Sequence, residues 1–263
     1  MAKKLNPAAV VGLVRELAAS KYPGHLAISG PTALTEALRR ELARDGDPSA
    51  VRIGTHHGAA LLIHVLTGPP SEADLETLKA AHKARVPIVA VLAGPGLDDR
   101  VPYVLATDVV RTEAGAGFDV AEIARIVAAR LVEEGTPLAA RVPALRDAVV
   151  GLLVERFARA NGTVGAFVFV SGADTPVITL NQIRMVLRIA HAYGVEVGQA
   201  RAPEVLAVLG SGFALRTLAR QAVGLVPSAG WAVKAGVAYG GTKALGEAAK
   251  RYYEAQAGSK ASA

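Results

Sequence analysis

The sequence predicts an α/β domain on a mostly parallel sheet over residues 1–135, followed by an all-α helical domain over residues 136–263. Three observations carry this division. Short apolar runs of strand type alternate with helix-periodic segments in the first part, the pattern of helices layered on a parallel sheet. The second part consists of long helix-periodic stretches with little strand character. Charge changes at the same point: 15 Lys and Arg stand against 16 Asp and Glu up to Gly135, and 14 against 7 beyond it. At roughly 100–200 residues per domain, 263 residues leave room for two modest cores.

The elements follow in order. Asn6 and Pro7 supply a cap and a first helical residue, and Val10, Leu13, Val14 and Leu17 recur on one face, so the chain opens with a helix. His25–Ser29 reads as a strand running into Gly30 and Pro31, after which Leu34, Leu38 and Leu42 mark a helix that ends near Gly46. Strands follow at Val51–Gly54 and Ala59–Leu66. Ser71 with Asp74 three residues on is a capping box opening a helix through Ala84. Pro87–Ala93 is a buried strand, Tyr103–Thr107 a shorter one, and Asp119 with Glu122 caps a helix to Glu134. Gly135, Pro137 and Pro143 then punctuate the chain and mark the domain boundary. Beyond it we expect helices at 143–165, 176–193, 204–226 and 229–254, breaks at Gly172, Gly194 and Pro227, and a frayed tail after Gln256.

Composition removes several classes of function. With no cysteine, the chain has no disulfide, thiolate metal site, iron–sulfur cluster or cysteine nucleophile. The two N-terminal lysines precede no uninterrupted apolar run, since Asn6, Arg15 and Glu16 intervene, which reads as a cytoplasmic start. The longest charge-free stretches, Ala160–Ala173 and Gln221–Val233, are 14 and 13 residues, short of the ~20 needed to span a bilayer. Gln221–Thr242 nevertheless carries a single charge, Lys234, which leaves partial insertion open. In the same region Ala232, Gly236 and Gly240 form a small-xxx-small pattern that permits close helix approach. Asn181, Arg184, Arg188 and His191 make one narrow polar stripe on an otherwise apolar helix, so that helix is buried on most sides.

Candidate chemistry is sparse. A strand, a glycine and a helix at His25–Leu42 invite comparison with the phosphate-binding loop GxxxxGKS/T. Gly30 matches the first glycine. Thr35 stands at the second, Glu36 at the lysine and Ala37 at the magnesium-binding hydroxyl. A carboxylate where a cation neutralises the β- and γ-phosphates repels what the loop should hold. His56 and His57 are adjacent without a third ligand and His64 reads as a satisfied core histidine, so no metal is assigned. Ser211, in Gly-Ser-Gly, lacks nucleophile-elbow spacing, and Gly115-Ala-Gly117 reads as a loop before the Asp119 cap. No residue is assigned a catalytic role and no cofactor is implied. Arg184 with Arg188, and Arg216 with Arg220, are two i, i+4 pairs. On neighbouring helices they would gather four guanidiniums for a phosphate, a lipid headgroup or an acidic partner; otherwise they are solvated faces, or salt-bridged to Glu196, Glu204 or Asp174. Asp174 itself reads as a helix cap beside Pro176.

Two resemblances add to this. Ala59–Leu66, Ser71–Leu78 and Val86–Leu92 resemble the central strand, helix and base-recognition strand of Era-like GTPases. The guanine-reading NKxD motif of that family falls here on Ala93-Gly94-Pro95-Gly96, and its Asp-x-x-Gly motif has no counterpart around Thr55–Gly58. The resemblance, over about 22–134, therefore implies a truncated P-loop GTPase-like domain, lacking a strand–helix unit and degenerate in its nucleotide motifs. Gly172–Gly194, with Leu225-Val-Pro-Ser-Ala-Gly and Thr242, Ala244, Leu245, Gly246 and Tyr252, resembles the YcjF-type helical domain of unknown function found in bacteria, over about 145–254. Members of that family are frequently fused to Era-like GTPase domains and predicted to be membrane-associated.

The expectation is a non-catalytic binding or scaffold protein. A pseudo-GTPase domain is coupled to a basic helical domain that engages a protein partner or an anionic membrane surface, peripherally or partly inserted at the inner membrane, with oligomer formation open. The alternative is a divergent GTPase-like nucleotide hydrolase. Non-specific nucleic-acid binding ranks third: the net charge is +6, but 5% aromatic residues make a poor base-stacking platform.

Overall fold

Alternation along the strands builds the first unit. The computed structural model describes Gly12 and residues 24–112, 117–131, 135–167, 175–195 and 230–261. The chain divides into two units, Tyr22–Val149 and a second that holds the described residues from Val150 on. In the first, β1 (His25–Ser29), β2 (Val51–Ile53), β3 (Ala59–Leu66), β4 (Ile88–Leu92) and β5 (Val109–Arg111) form one sheet in the order β2-β1-β3-β4-β5, every neighbouring pair parallel. Successive side chains point to opposite faces. Ala27, Leu62, Leu66, Ile88, Ala90 and Leu92 meet Leu78 and Ala81 of helix α2 (Glu72–Lys83) in one core, with Val101. Leu26, Ile28, Leu61, Ile63, Val65, Val89 and Val91 are buried on the other face, which α1 (Thr32–Leu42) and α3 (Val120–Arg130) cover.

This two-sided cover follows from chain direction. The step from β1 to β2 moves one way across the sheet and the step from β3 to β4 the other, so right-handed crossovers place α1 and α2 on opposite faces. The reversal point lies between β1 and β3. No helix joins β2 to β3: Gly54–Gly58 alone carries the chain across β1. A parallel crossover ordinarily takes about a dozen residues. The short link suffices because β2 is three residues long, leaving β2 level with Ile28 and entering β3 level with His25.

Three expectations change in this unit. The strand expected at Tyr103–Thr107 is a turn, with Tyr103 at φ 65°, leading into a 3-10 turn at Ala106–Asp108; the strand is Val109–Arg111, where Val109 and Val110 pair with Ala90 and Val91. Buried Asp108 anchors that turn by accepting from Arg130 Nη2 at 2.7 Å. Gly135–Arg141 is a helix, α4, and not the punctuation of a boundary. The boundary itself falls at Val149/Val150 instead of 135/136, because Arg141 donates to Asp47 at 2.8 Å and Ser49 at 2.7 Å and so ties residues 135–149 to the sheet unit.

The second unit contains most of α5 (Arg146–Phe167), α6 (Thr175–Ala192) and α7 (Gly230–Ala261). A 3-10 turn at Pro143–Leu145 precedes α5 where a helix was expected from 143, and α6 ends at Gly194, whose φ is 74°. The tail expected to fray after Gln256 stays helical to Ala261. The opening helix from Asn6, the helix at 204–226, and Gly172 and Pro227 lie outside the described residues. Close approach of α5 and α7 comes from glycines other than those expected. A methyl on Gly165 would lie 2.9 Å from Lys234 O, and one on Gly246 2.5 Å from Val154 Cγ2, whereas Gly236 and Gly240 have open space around them among the described residues. Among these residues no helix is long and apolar enough to cross a membrane.

Candidate functional site

The carboxyl edge of the sheet, at the β1/β3 reversal, is where an open parallel sheet of this winding places a ligand crevice. Its first wall is the turn from β1 into α1. Gly30 has φ 126°, and a Cβ there would collide with the Val65 carbonyl oxygen, so only glycine fits. Between Ser29 and Thr32 stand only Gly30 and Pro31, and Pro31 has no N–H. The positions compared with a phosphate loop are therefore not in a loop. Thr35 is buried inside α1 with its Oγ1 donating to Thr32 O at 2.9 Å. Glu36 accepts from Nε and Nη2 of Arg39, both at 3.1 Å, and Ala37 is half-buried one residue further along the same helix. On the far side of the edge, a Cβ on Gly94 would lie 2.8 Å from Thr67 O, so the segment matched to the base-reading motif runs against the end of β3.

Between these walls lies a polar chain. Ser29, the last residue of β1, pairs in register with His64 of β3, and its Oγ stands 2.6 Å from His64 Nδ1. His64 Nε2 stands 3.0 Å from Asp74 Oδ1, one turn into α2. Asp74 Oδ2 accepts from the Ser71 hydroxyl at 2.6 Å and the Ser71 N–H at 2.9 Å. The anionic carboxylate only accepts, so His64 Nε2 carries the proton and the Ser29 hydroxyl donates to Nδ1. His64 is 2% exposed, and burial pushes its imidazole below the ordinary histidine range, an effect that Asp74 only partly offsets. Burial raises Asp74, but the hydrogen bonds from Ser71 and the pairing with His64 outweigh it and hold the carboxyl below its usual value. Ser71 is also the α2 cap, so the capping box legible in the sequence fixes Asp74 in place.

His56 and His57 lie in the β2–β3 link with their rings stacked, centroids 4.4 Å apart, and Thr55 Oγ1 stands 2.8 Å from His57 Nδ1. The link is not extended, which lets the two neighbouring rings stack.

In the helical unit the stripe Asn181, Arg184, Arg188 and His191 is half-buried, while Ile183, Met185, Val186, Leu187, Ile189 and Ala190 are buried. Burial lowers the His191 imidazole. Arg216 and Arg220, with Glu196, Glu204, Asp174 and Ser211, lie outside the described residues, so a four-guanidinium site is not assembled here. Sequence reasoning missed a buried network at the helix junction. Thr242 Oγ1 accepts from Asn161 Nδ2 at 3.0 Å and Gln182 Nε2 at 2.9 Å and donates to Ala238 O at 2.7 Å, while Asn181 Nδ2 donates to Asn161 Oδ1 at 2.8 Å. Glu155 collects Arg159, Tyr239 and Lys243, hydrogen bonds that lower its carboxyl from the ordinary value. The signal available was the amide pair Asn181-Gln182 in an apolar helix, facing Asn161 and Thr242 in two others.

No family model, no curated protein and no solved structure matches the chain.

Proposed function

We propose that the chain is a binding or scaffold protein in which a GTPase-like α/β unit has lost its nucleotide chemistry and accompanies a basic helical unit that engages an anionic membrane surface or a protein partner. One observation carries the reading: β1 joins α1 through Gly30 and Pro31 alone, with Glu36 inside the helix and paired to Arg39. A triphosphate needs a run of free backbone N–H groups and a cation. This turn supplies a proline, a glycine and a carboxylate. The helix-free β2–β3 link supports the loss of a strand–helix unit from a GTPase-like layout. The surplus of 14 Lys and Arg over 7 Asp and Glu beyond residue 135 supports attraction to an acidic surface.

Two measurements on the full chain test this. Titration calorimetry with GTP and ATP, each with magnesium, is expected to give no heat of binding up to millimolar nucleotide; saturable binding with turnover overturns the reading. Flotation with phosphatidylglycerol vesicles, beside neutral phosphatidylcholine vesicles and a pull-down, is expected to reveal anionic lipid or a protein as the partner, and no association in any arm counts against it.

A further inference from the structure

The Ser29–His64–Asp74 chain has the connectivity of a nucleophile, its base and the carboxylate that orients the base. Each part has the environment its role requires. Ser29 ends β1 and is half-buried at the carboxyl edge, while His64 behind it is shielded by the sheet and α2. The Nε2–H donated to Asp74 leaves the Nδ1 lone pair directed at the Ser29 hydroxyl, 2.6 Å away. Asp74 is fixed by two further bonds from Ser71, so the imidazole has one tautomer and one orientation. α1 begins three residues after Ser29, at the same edge of the sheet.

We propose that Ser29 is an acyl-accepting nucleophile, with His64 as its general base and Asp74 as a positioning residue, acting on small activated esters at the β1/β3 crevice. The Ser29 Oγ forms a bond to the ester carbonyl carbon as its proton passes to His64 Nδ1. The carbon–oxygen bond to the alcohol then breaks, and the alcohol leaves with that proton. Water attacks the acyl-serine, gives a proton to Nδ1, and releases the carboxylic acid as Ser29 recovers its hydrogen. The site uses no residue compared with the phosphate loop, so this inference goes beyond the binding reading and stands or falls independently of it.

The test is covalent labelling of the full-length protein with a fluorophosphonate, in which Oγ–P forms, P–F breaks and fluoride leaves. Intact mass and peptide mapping are expected to place one phosphonyl group on Ser29. Ser29→Ala is expected to lose the adduct, and His64→Gln to slow its formation at least 100-fold, the scale of a positioned base. Asp74→Asn is expected to slow it at least tenfold while circular dichroism shows the same helix content. A burst of p-nitrophenol from p-nitrophenyl acetate, absent in Ser29→Ala, is the second readout. Folded wild-type protein that carries no phosphonate on Ser29, or that labels equally fast with His64→Gln, overturns the proposal and leaves the chain as a structural tie between β1, β3 and α2.

Discussion

Replacing Thr242 with valine isolates the buried network of the helical unit. The side chains have nearly the same shape, so packing is kept and only the hydroxyl is lost. Thr242 is fully buried, as is Asn161, and Gln182 is 3% exposed. Removing Oγ1 strands two donors, Asn161 Nδ2 and Gln182 Nε2, where water does not replace the acceptor. Each stranded donor costs about 1–3 kcal/mol, so Thr242→Val is expected to destabilise the unit by roughly 2–6 kcal/mol. With a urea slope near ~2 kcal/mol/M, the unfolding midpoint falls by roughly 1–3 M. The control is Thr163→Val on α5: Thr163 is exposed, and its hydroxyl also donates one turn back, to Arg159 O at 3.0 Å. That change is expected to stay within about 0.5 kcal/mol. Urea titration of each variant beside wild type, followed by circular dichroism, reads the midpoints. Unfolding free energies for the two variants within about 0.5 kcal/mol of each other would refute the argument that the network is dry and saturated.

Three further expectations rest on separate features. Gly246→Ala drives a methyl to 2.5 Å from Val154 Cγ2 and is expected to cost about 1–3 kcal/mol, while Gly151→Ala, in open space on α5, is expected to add up to about 1 kcal/mol; thermal melts with the opposite order contradict the packing. Gly30→Ala meets both a φ of 126° and the Val65 carbonyl, so a loss above about 2 kcal/mol is expected, and a melting temperature equal to wild type counts against the turn geometry. The folded state lowers His64 from its ordinary 6.5, mainly by burial. The folded protein therefore binds fewer protons than the unfolded chain, and this contribution to stability is complete above about pH 6.5 and lost as the pH falls through the lower folded value. His25 and His191 shift in the same direction. His64→Gln is accordingly expected to flatten the fall in stability between pH 7 and 5 without abolishing it, and parallel curves for variant and wild type would show that His64 is not the group responsible.

Local physics made most of the first unit legible. Ala59–Leu66 is uninterrupted strand chemistry between turn residues, and the Ser71/Asp74 box starts α2 wherever that helix packs, because both partners lie within one helical turn. Glu36 in place of a lysine was likewise readable, since the argument needs only its charge. What the sequence could not reveal depends on partners distant in the chain. Tyr103–Thr107 has strand composition, yet Val109–Arg111 is the strand, because register against β4 and the Asp108–Arg130 pair decide between them. Gly236 and Gly240 look like a packing stripe, but among the described residues it is Gly246 that meets α5, at Val154, while Gly236 and Gly240 have open space.

The sequence by itself determined the alternation of strands and helices, the basic second half and the departure of Thr35, Glu36 and Ala37 from the phosphate-loop pattern, all properties of residues within a few positions of one another. Only the tertiary structure decided that Ser29 meets one nitrogen of His64 and that Asp74 meets the other. Ser29 and His64 are 35 positions apart and become neighbours solely through the parallel β1/β3 register, and no local preference encodes a register between strands that distant.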